Sequence, residues 1–383
     1  MNRCHAARLF AAERGGRMLA ERMSRIDSSG IRKVFDLAQH MKDPVNFSIG
    51  QPDFDVPEVV KEAAIQALES GFNRYTLTAG IPELREACLA HYRSKGFSAD
   101  GCIITSGVSG GILLALLATM NPGDEILVPD PYFVMYKHLV NFMGGVPIFV
   151  DTYPGFELLE ERLEAAVTPK TKAIFVNSPA NPTGKVASED QLRMVARFAE
   201  RHSLLVISDE IYEVFNYIGE NPSIATFYPN TIVLNGFSKI AAMTGWRVGY
   251  ALASAPIIKA MTDIQQYTFV CAPSFAQKAA LAALDMDTSS YREEYRRKRD
   301  QICEGLGKHY EIVKPEGAFY VFPRVPEGKG TDEEFVKRLI ENNVLCIPGS
   351  VFSQRNTHLR LSYAATDETI ERGIEIMCRL ADE

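Results

Sequence analysis

A lysine that forms imines must first lose a proton, so its ordinary pKa of about 10.4 has to be lowered by its surroundings. In the stretch Asn235 to Tyr250, NGFSKIAAMTGWRVGY, Lys239 is followed two helical turns later by Arg247. A guanidinium binds phosphate bidentately and, as a neighbouring cation, depresses an amine's pKa. The pair therefore suggests a covalent carbonyl cofactor carrying a phosphate. Lysine and arginine are also ordinary surface residues, so the rest of the chain has to carry the case.

Other candidates sit just past short apolar runs. After CIITS come Gly107, Val108, Ser109, Gly110 and Gly111 and then an apolar helix, an arrangement that offers backbone N–H groups and a hydroxyl to a phosphate. The same residues spell G-x-S-x-G, the nucleophile elbow of α/β-hydrolases, with Asp209 and then His309 or His358 in the required chain order. After EILVPD, Tyr132 has a ring that either stacks on a planar cofactor or packs in the core. Asn181 lies in Asn-Pro-x-Gly, a good turn in its own right. Asp209 follows an apolar run directly, where an unpaired carboxylate is costly; a helix N-terminus, an ion pair or a pyridinium nitrogen would each satisfy it. Tyr212 shares its face if a helical turn forms there. In THLRLSYA, Arg360 alternates with Leu359 and Leu361, which leaves it solvated unless its face lines a cleft.

These residues need a frame, and the apolar runs supply one. CIITS, EILVPD, VPIFVD, KAIFVNS, LLVISD, TIVLN and VGYALAS alternate with helical stretches. That beat predicts an α/β fold, a largely parallel, seven-stranded, doubly wound sheet, with the last two strands antiparallel because no full crossover helix joins them. Ligands bind such sheets beyond the carboxyl ends of the strands. Upstream, residues 18–38 read as a mixed-charge helix, NFSIGQPDFDVP as a short strand running into a loop, and Asp55 as the N-cap of a helix opened by Pro57. RYTLTAGIPELREA leads into a second amphipathic helix ending near Lys95. Downstream, a long charged helix from Ser289 precedes short strands near Ala318 to Phe322, Val344 to Pro348 and Leu359 to Tyr363, with helices from Asp332 and Asp367. The expected organisation is a large domain over 56–286 and a smaller α+β domain built from 287–383 together with an N-terminal arm, 18–55.

Bulk properties narrow the function classes. A chain of 383 residues with 46% hydrophobic content has ample core, and a formal net charge of −7 argues against nucleic acid as a partner. The seven cysteines are scattered and none forms a C-x-x-C pair, so neither a disulfide frame nor a metal site is suggested and a cytoplasmic setting is the default. The longest apolar run, Ile112 to Met120, is too short for a membrane span. Residues 1–17 are arginine-rich and lack a secretory core; they read as an upstream start or, alternatively, a transit peptide, and are set aside from the fold.

The ordered set ANPTG, DEIY, FSK and GWRVGY resembles the class I and II aminotransferases, the fold-type-I pyridoxal-phosphate enzymes related to aspartate aminotransferase. SRIDSSGIRKVFDLA, GQPDFDVP, YTLTAGIPELREA and LRLSYA extend the resemblance from about Met18 almost to the end of the chain. It implies pyridoxal 5'-phosphate as cofactor and Lys239 as its Schiff-base lysine. Arg247, the backbone of Val108 and Ser109, and Ser238 would bind the phosphate, and Tyr75 would reach the phosphate of a neighbouring subunit in a homodimer with shared sites. Asp209 would keep the pyridine nitrogen protonated, Asn181 and Tyr212 would bond the phenolic oxygen, and Tyr132 would stack on the ring. Arg360, beside Gly50 and Asn181, would take the substrate α-carboxylate.

The implied activity moves an amino group between an α-amino acid and a 2-oxo acid, with Lys239 shuttling the proton at Cα. A carbon–sulfur β-lyase using the same cofactor is the nearest alternative, and a hydrolase using Ser109 the remote one. Two departures from the family pattern stand out. Gly236 replaces a serine that many relatives carry three residues before the lysine, and Ser109 stands where some aspartate-using relatives carry a lysine. Acidic, aromatic and aliphatic amino acids therefore all remain candidate substrates.

Overall fold

A computed structural model describes residues 19–26 and 41–383 of the chain. The segment 1–17 and most of the helix expected over 18–38 lie outside the described residues; within that range Glu21–Arg25 forms a 3-10 turn. Strand β1 (Val45–Asn46) leads into the loop that carries Gly50, and helix α1 (Glu58–Glu69) follows. The expected cap at Asp55 is not formed, because Pro57 occupies the N-cap position and Asp55 lies two residues too early. Its carboxylate accepts from the Val56 N–H at 2.8 Å and pairs with Lys61 at 2.6 Å instead. Helix α2 (Pro82–Ser94) opens on a proline, whose missing N–H is not needed there.

All seven expected strands form one sheet. In chain order the elements are β2 (Gly101–Thr105), α3 (Gly107–Thr119), β3 (Glu125–Asp130), α4 (Val134–Phe142), β4 (Val146–Asp151), α5 (Glu160–Ala166), β5 (Thr171–Asn177), α6 (Glu189–Arg201), β6 (Leu205–Asp209), β7 (Thr231–Gly236), the single-turn α7 (Phe237–Ile240) and β8 (Gly249–Ala253). The strand order is β2-β8-β7-β6-β5-β3-β4. Strands β2, β6, β7 and β8 are buried at every position, as strands covered by helices on both faces must be. Helix α6 illustrates how local sequence sets the crossovers: Ser188 and Gln191 form a reciprocal capping box, and Leu192, Val195, Phe198 and Ala199 make its buried stripe.

The β7–β8 connection is too short for a crossover, so β8 runs antiparallel to β7. It is antiparallel to β2 as well. The start of β8 therefore lies at the same sheet edge as the carboxyl ends of β2, β5, β6 and β7. Thr105 and Gly236 both pair with Gly249, which brings three chemically loaded segments together at that edge.

After β8 come α8 (Ala255–Thr268), α9 (Ser274–Leu284) and the long charged α10 (Ser289–Leu306). The remainder comprises β9 (Tyr320–Val321), α11 (Asp332–Glu341), β10 (Val344–Leu345), β11 (Ile347–Pro348), β12 (Leu359–Ser362) and α12 (Asp367–Asp382). Strands β11, β12 and β9 form a small antiparallel sheet, while β10 pairs in parallel with β1. The N-terminal strand is thus built into the C-terminal body, and a core including Phe47, Tyr295, Phe319, Phe335 and Tyr363 joins the two.

Candidate functional site

A cavity of about 370 Å³ opens at the carboxyl edge of the large sheet, a size suited to a small ligand. Gly50, Val108, Ser109, Asn181, Asp209, Tyr212, Ser238, Lys239, Arg247 and Arg360 all line it. Residues from six separated stretches of sequence therefore meet at one place.

Lys239 projects from α7, just past β7, and its Nζ donates to the Gly50 carbonyl at 2.5 Å. The Tyr212 and Phe319 rings stand 5.8 and 5.7 Å away. Burial, reinforced by the Arg360 and Arg247 cations and opposed by Asp209, lowers its pKa to about 8. An appreciable share of this amine is therefore neutral near physiological pH, which is the state that attacks a carbonyl.

Arg247 donates to Ser109 Oγ at 2.8 Å and to the Thr244 carbonyl at 2.9 Å. It lies beside the first turn of α3, where the leading N–H groups have no intrahelical acceptors. Guanidinium, hydroxyls and helix N-terminus together make an anion cup. Glycines leave the room for it. Gly107 has φ +65°, and a Cβ there would stand 2.6 Å from the Arg247 guanidinium. A Cβ on Gly249 would stand 2.7 Å from the Gly107 carbonyl carbon, and one on Gly236 would stand 2.8 Å from Gly249 Cα. The departure at Gly236 has a steric reason in this chain, since backbone fills the space a serine would need.

Gly107→Ala should cost about 1 kcal/mol through the left-handed backbone alone. By displacing Arg247 it should also weaken, about tenfold, binding of the pyridoxal phosphate that the sequence resemblance implies, through lost charge-assisted hydrogen bonds. A cofactor titration checks this, and unchanged affinity would contradict the steric assignment.

Asp209 ends β6 and is buried. It accepts from the Tyr136 hydroxyl at 2.7 Å and from the Ile211 N–H at 3.3 Å. Burial raises its pKa to about 6, against the lowering effects of Tyr136, Ile211 and Lys239. A cation placed beside it would restore the full charge.

Arg360 is on β12 and fully buried, because β11 and β9 flank it and its face lines the cavity. Its Nη2 donates to the Ser48 carbonyl at 2.6 Å, while its Nη1 lies 3.5 Å from Asn181 Oδ1. The Tyr320 and Phe352 rings lie 4.8 and 4.7 Å from the guanidinium carbon. Its Nε is buried without a hydrogen-bond partner among the described residues. Such an orphaned cationic donor suits an incoming carboxylate. Asn181 is held by its N–H on Asn177 Oδ1 at 2.9 Å, and the Tyr212 hydroxyl meets the Tyr320 hydroxyl at 2.8 Å.

Two expected residues lie elsewhere in this chain. Tyr132 does not line the cavity; it packs on Phe149, with ring centroids 4.9 Å apart, and its hydroxyl accepts from Gln354 Nε2 at 2.9 Å. Its hydroxyl has a partner in the loop before β12, whereas the adjacent Phe133 lines the cavity. Tyr75 is 84% exposed and does not line this chain's cavity. The hydrolase arrangement is not assembled: Ser109 Oγ accepts from Arg247, His309 pairs with Asp382, and His358 stacks on Phe322 outside the cavity. Sequence reasoning missed Phe133, Tyr136, Asn177 and Tyr320. The three aromatics carry only the signal of core residues.

The donor set fits a phosphorylated pyridine aldehyde: an anion cup, a depressed amine, a buried carboxylate and an unpartnered arginine nitrogen share one cavity. The sequence profile of the family "Aminotransferase class I and II" matches residues 42–377. The chain is 39% identical to a probable aspartate aminotransferase of Methanocaldococcus jannaschii, covering 94% of this chain and 99% of that protein. It is also 39% identical to aromatic-amino-acid aminotransferase 2 of Thermococcus litoralis, covering 95% and 98%. Among solved structures, aspartate aminotransferase from Thermus thermophilus with maleate superposes with a TM-score of 0.91 at 39% identity, covering 94% of this chain and 99% of that one.

Proposed function

The chain belongs to the aminotransferase class I and II family and is an aminotransferase, and from that premise we propose that it holds pyridoxal 5'-phosphate in the Lys239 cavity. Arg247, Ser109, Ser238 and the first N–H groups of α3 hold the phosphate. Asp209 faces the pyridine nitrogen, Asn181 and Tyr212 serve the phenolic oxygen, and Phe133 rather than Tyr132 is the ring at hand for stacking. Bound there, the cofactor supplies an aldehyde that condenses with amines and a ring that draws electrons from the substrate. Lys239, with its pKa lowered to about 8, would hold the cofactor through that aldehyde and would move the proton at the substrate Cα. Arg360 fixes the α-carboxylate, and its rigid fork orients the Cα–H bond towards Lys239.

The observation that carries this reading is the meeting of a depressed lysine, two guanidinium groups and the buried carboxylate of Asp209 in one cavity. Exposed apolar side chains at Tyr75, Leu77 and Tyr267 support a homodimer in which Tyr75 serves the partner's site. Pairing of β1 with β10 supports reading 18–55 and 287–383 as one small domain against 56–286. Free cysteines, including the buried Cys88, Cys102 and Cys346, support a reducing, cytoplasmic setting. Among the described residues no helix is long and apolar enough to cross a membrane. The test is a half-reaction screen: the purified protein should be yellow, and its absorbance should change on adding its amino acid, with a 2-oxo acid released. A colourless protein that takes up no pyridoxal phosphate would overturn the reading, and pyruvate and ammonia formed without an oxo-acid acceptor would indicate lyase chemistry instead.

A further inference from the structure

Tyr320 opens β9, is fully buried and lines the cavity. Three elements of the site touch this one phenol. Its hydroxyl lies 2.8 Å from the Tyr212 hydroxyl, and its ring face lies 4.8 Å from the guanidinium carbon of Arg360. A Cβ on Gly50 would stand 2.6 Å from its hydroxyl oxygen, so the bare backbone at Gly50 is what lets the phenol sit there. The Gly50 carbonyl is in turn the acceptor for Lys239.

Two protonated phenols in contact share one hydrogen bond, and one proton of the pair is left over. Burial raises the pKa of both, so both stay protonated; Arg360 opposes the rise at each, but it is the leading opposing effect at Tyr320, whose ring it lies against, while at Tyr212 the contact with Tyr320 raises the pKa further. The phenol under the cation is the stronger donor. Tyr320 then donates to Tyr212, and the Tyr212 proton is the one left over. At the other face, buried Arg360 has lost its hydration and retains an unpartnered Nε, so the Tyr320 ring quadrupole replaces part of the missing solvation.

We propose that Tyr320 is a positioning residue serving both ends of the site: its hydroxyl orders Tyr212 towards the cofactor's phenolic oxygen, and its ring holds the Arg360 guanidinium in place for the substrate carboxylate. This rests on the roles given above to Tyr212 and Arg360. The two tasks separate by substitution, because Tyr320→Phe removes only the hydroxyl and Tyr320→Leu removes the ring as well.

The test titrates the absorbance of the resting, cofactor-loaded protein against pH and measures KM and kcat for the amino donor. A weakened hydrogen bond to the phenolic oxygen leaves the lysine-linked chromophore easier to protonate, so Tyr320→Phe should raise its pKa by about 0.5 to 1, with KM within twofold of wild type. Tyr320→Leu should show that shift and also raise KM about fivefold to thirtyfold. An unchanged chromophore pKa in Tyr320→Phe would overturn the proposal, as would a KM in Tyr320→Phe as high as in Tyr320→Leu. Failure of the conservative Tyr320→Phe to fold would make the residue purely structural and overturn it as well. A wild-type protein with no lysine-linked chromophore would instead remove the functional reading itself, so the two failures are distinguishable.

Discussion

Lys239→Ala should lower kcat by about 10⁴-fold or more, because one substitution removes both the nucleophile and the base at Cα. The anion cup stays intact in this variant, since Arg247, Ser109 and the start of α3 are held by contacts that do not involve the lysine. Pyridoxal phosphate should therefore still bind, without a covalent link. Lys239→Arg keeps the charge and bulk but cannot reach a neutral amine near physiological pH, so it should be equally inactive. Single-turnover mixing of each loaded variant with amino acid provides the measurement. Retention of more than about a hundredth of the wild-type rate would contradict the assignment of both roles to this one residue.

Asp209→Asn should act in opposite directions on activity and on stability. Loss of the ionised partner for the pyridine nitrogen should lower kcat by about 10²- to 10³-fold, the range for deleting one preorganised electrostatic contact. Stability of the cofactor-free protein should change the other way. The folded-state pKa of Asp209 is raised to about 6 by burial, above an unfolded value of about 3.9, so the folded state binds more protons between those limits. Its contribution is fully present below about pH 4 and is lost as pH rises through about 6, which amounts to about 3 kcal/mol. Asparagine never ionises. Cofactor-free Asp209→Asn should accordingly melt with the wild type at pH 4 and above it at pH 7.5. A variant less stable than wild type at pH 7.5 would show that the buried carboxylate is not strained, and a cation beside Asp209 should shrink the gap in the loaded protein.

The frame of this site was legible because periodicity reports burial directly. Each of the seven apolar runs became a strand, and the short connection from Gly236 to Gly249 correctly signalled the antiparallel β8. The cluster at Lys239, Arg247, Ser109 and Asp209 followed from its place just past strand ends. What stayed hidden depends on contacts between residues far apart in sequence. Tyr132 and Phe133 are adjacent aromatics, yet Phe133 lines the cavity while Tyr132 bonds Gln354, more than two hundred residues away. Arg360 on an alternating strand gives no sign that strands on both sides bury it. Tyr136 and Tyr320 are spaced like core aromatics, and only their partners, Asp209 and Tyr212, distinguish them. Asp55 had a cap residue's chemistry but lay two residues too early, since Pro57 set the helix start. Gly236 is the converse case, a visible departure from the family pattern whose cause lies in backbone packed against Gly249.

Borohydride reduction of the pyridoxal-phosphate-loaded protein, followed by digestion and mass mapping, tests the central claim most directly. The expected result is one modified residue, Lys239, within the FSKIAAMTGWR segment. Modification of a different lysine, or none in a protein that demonstrably binds the cofactor, would contradict it.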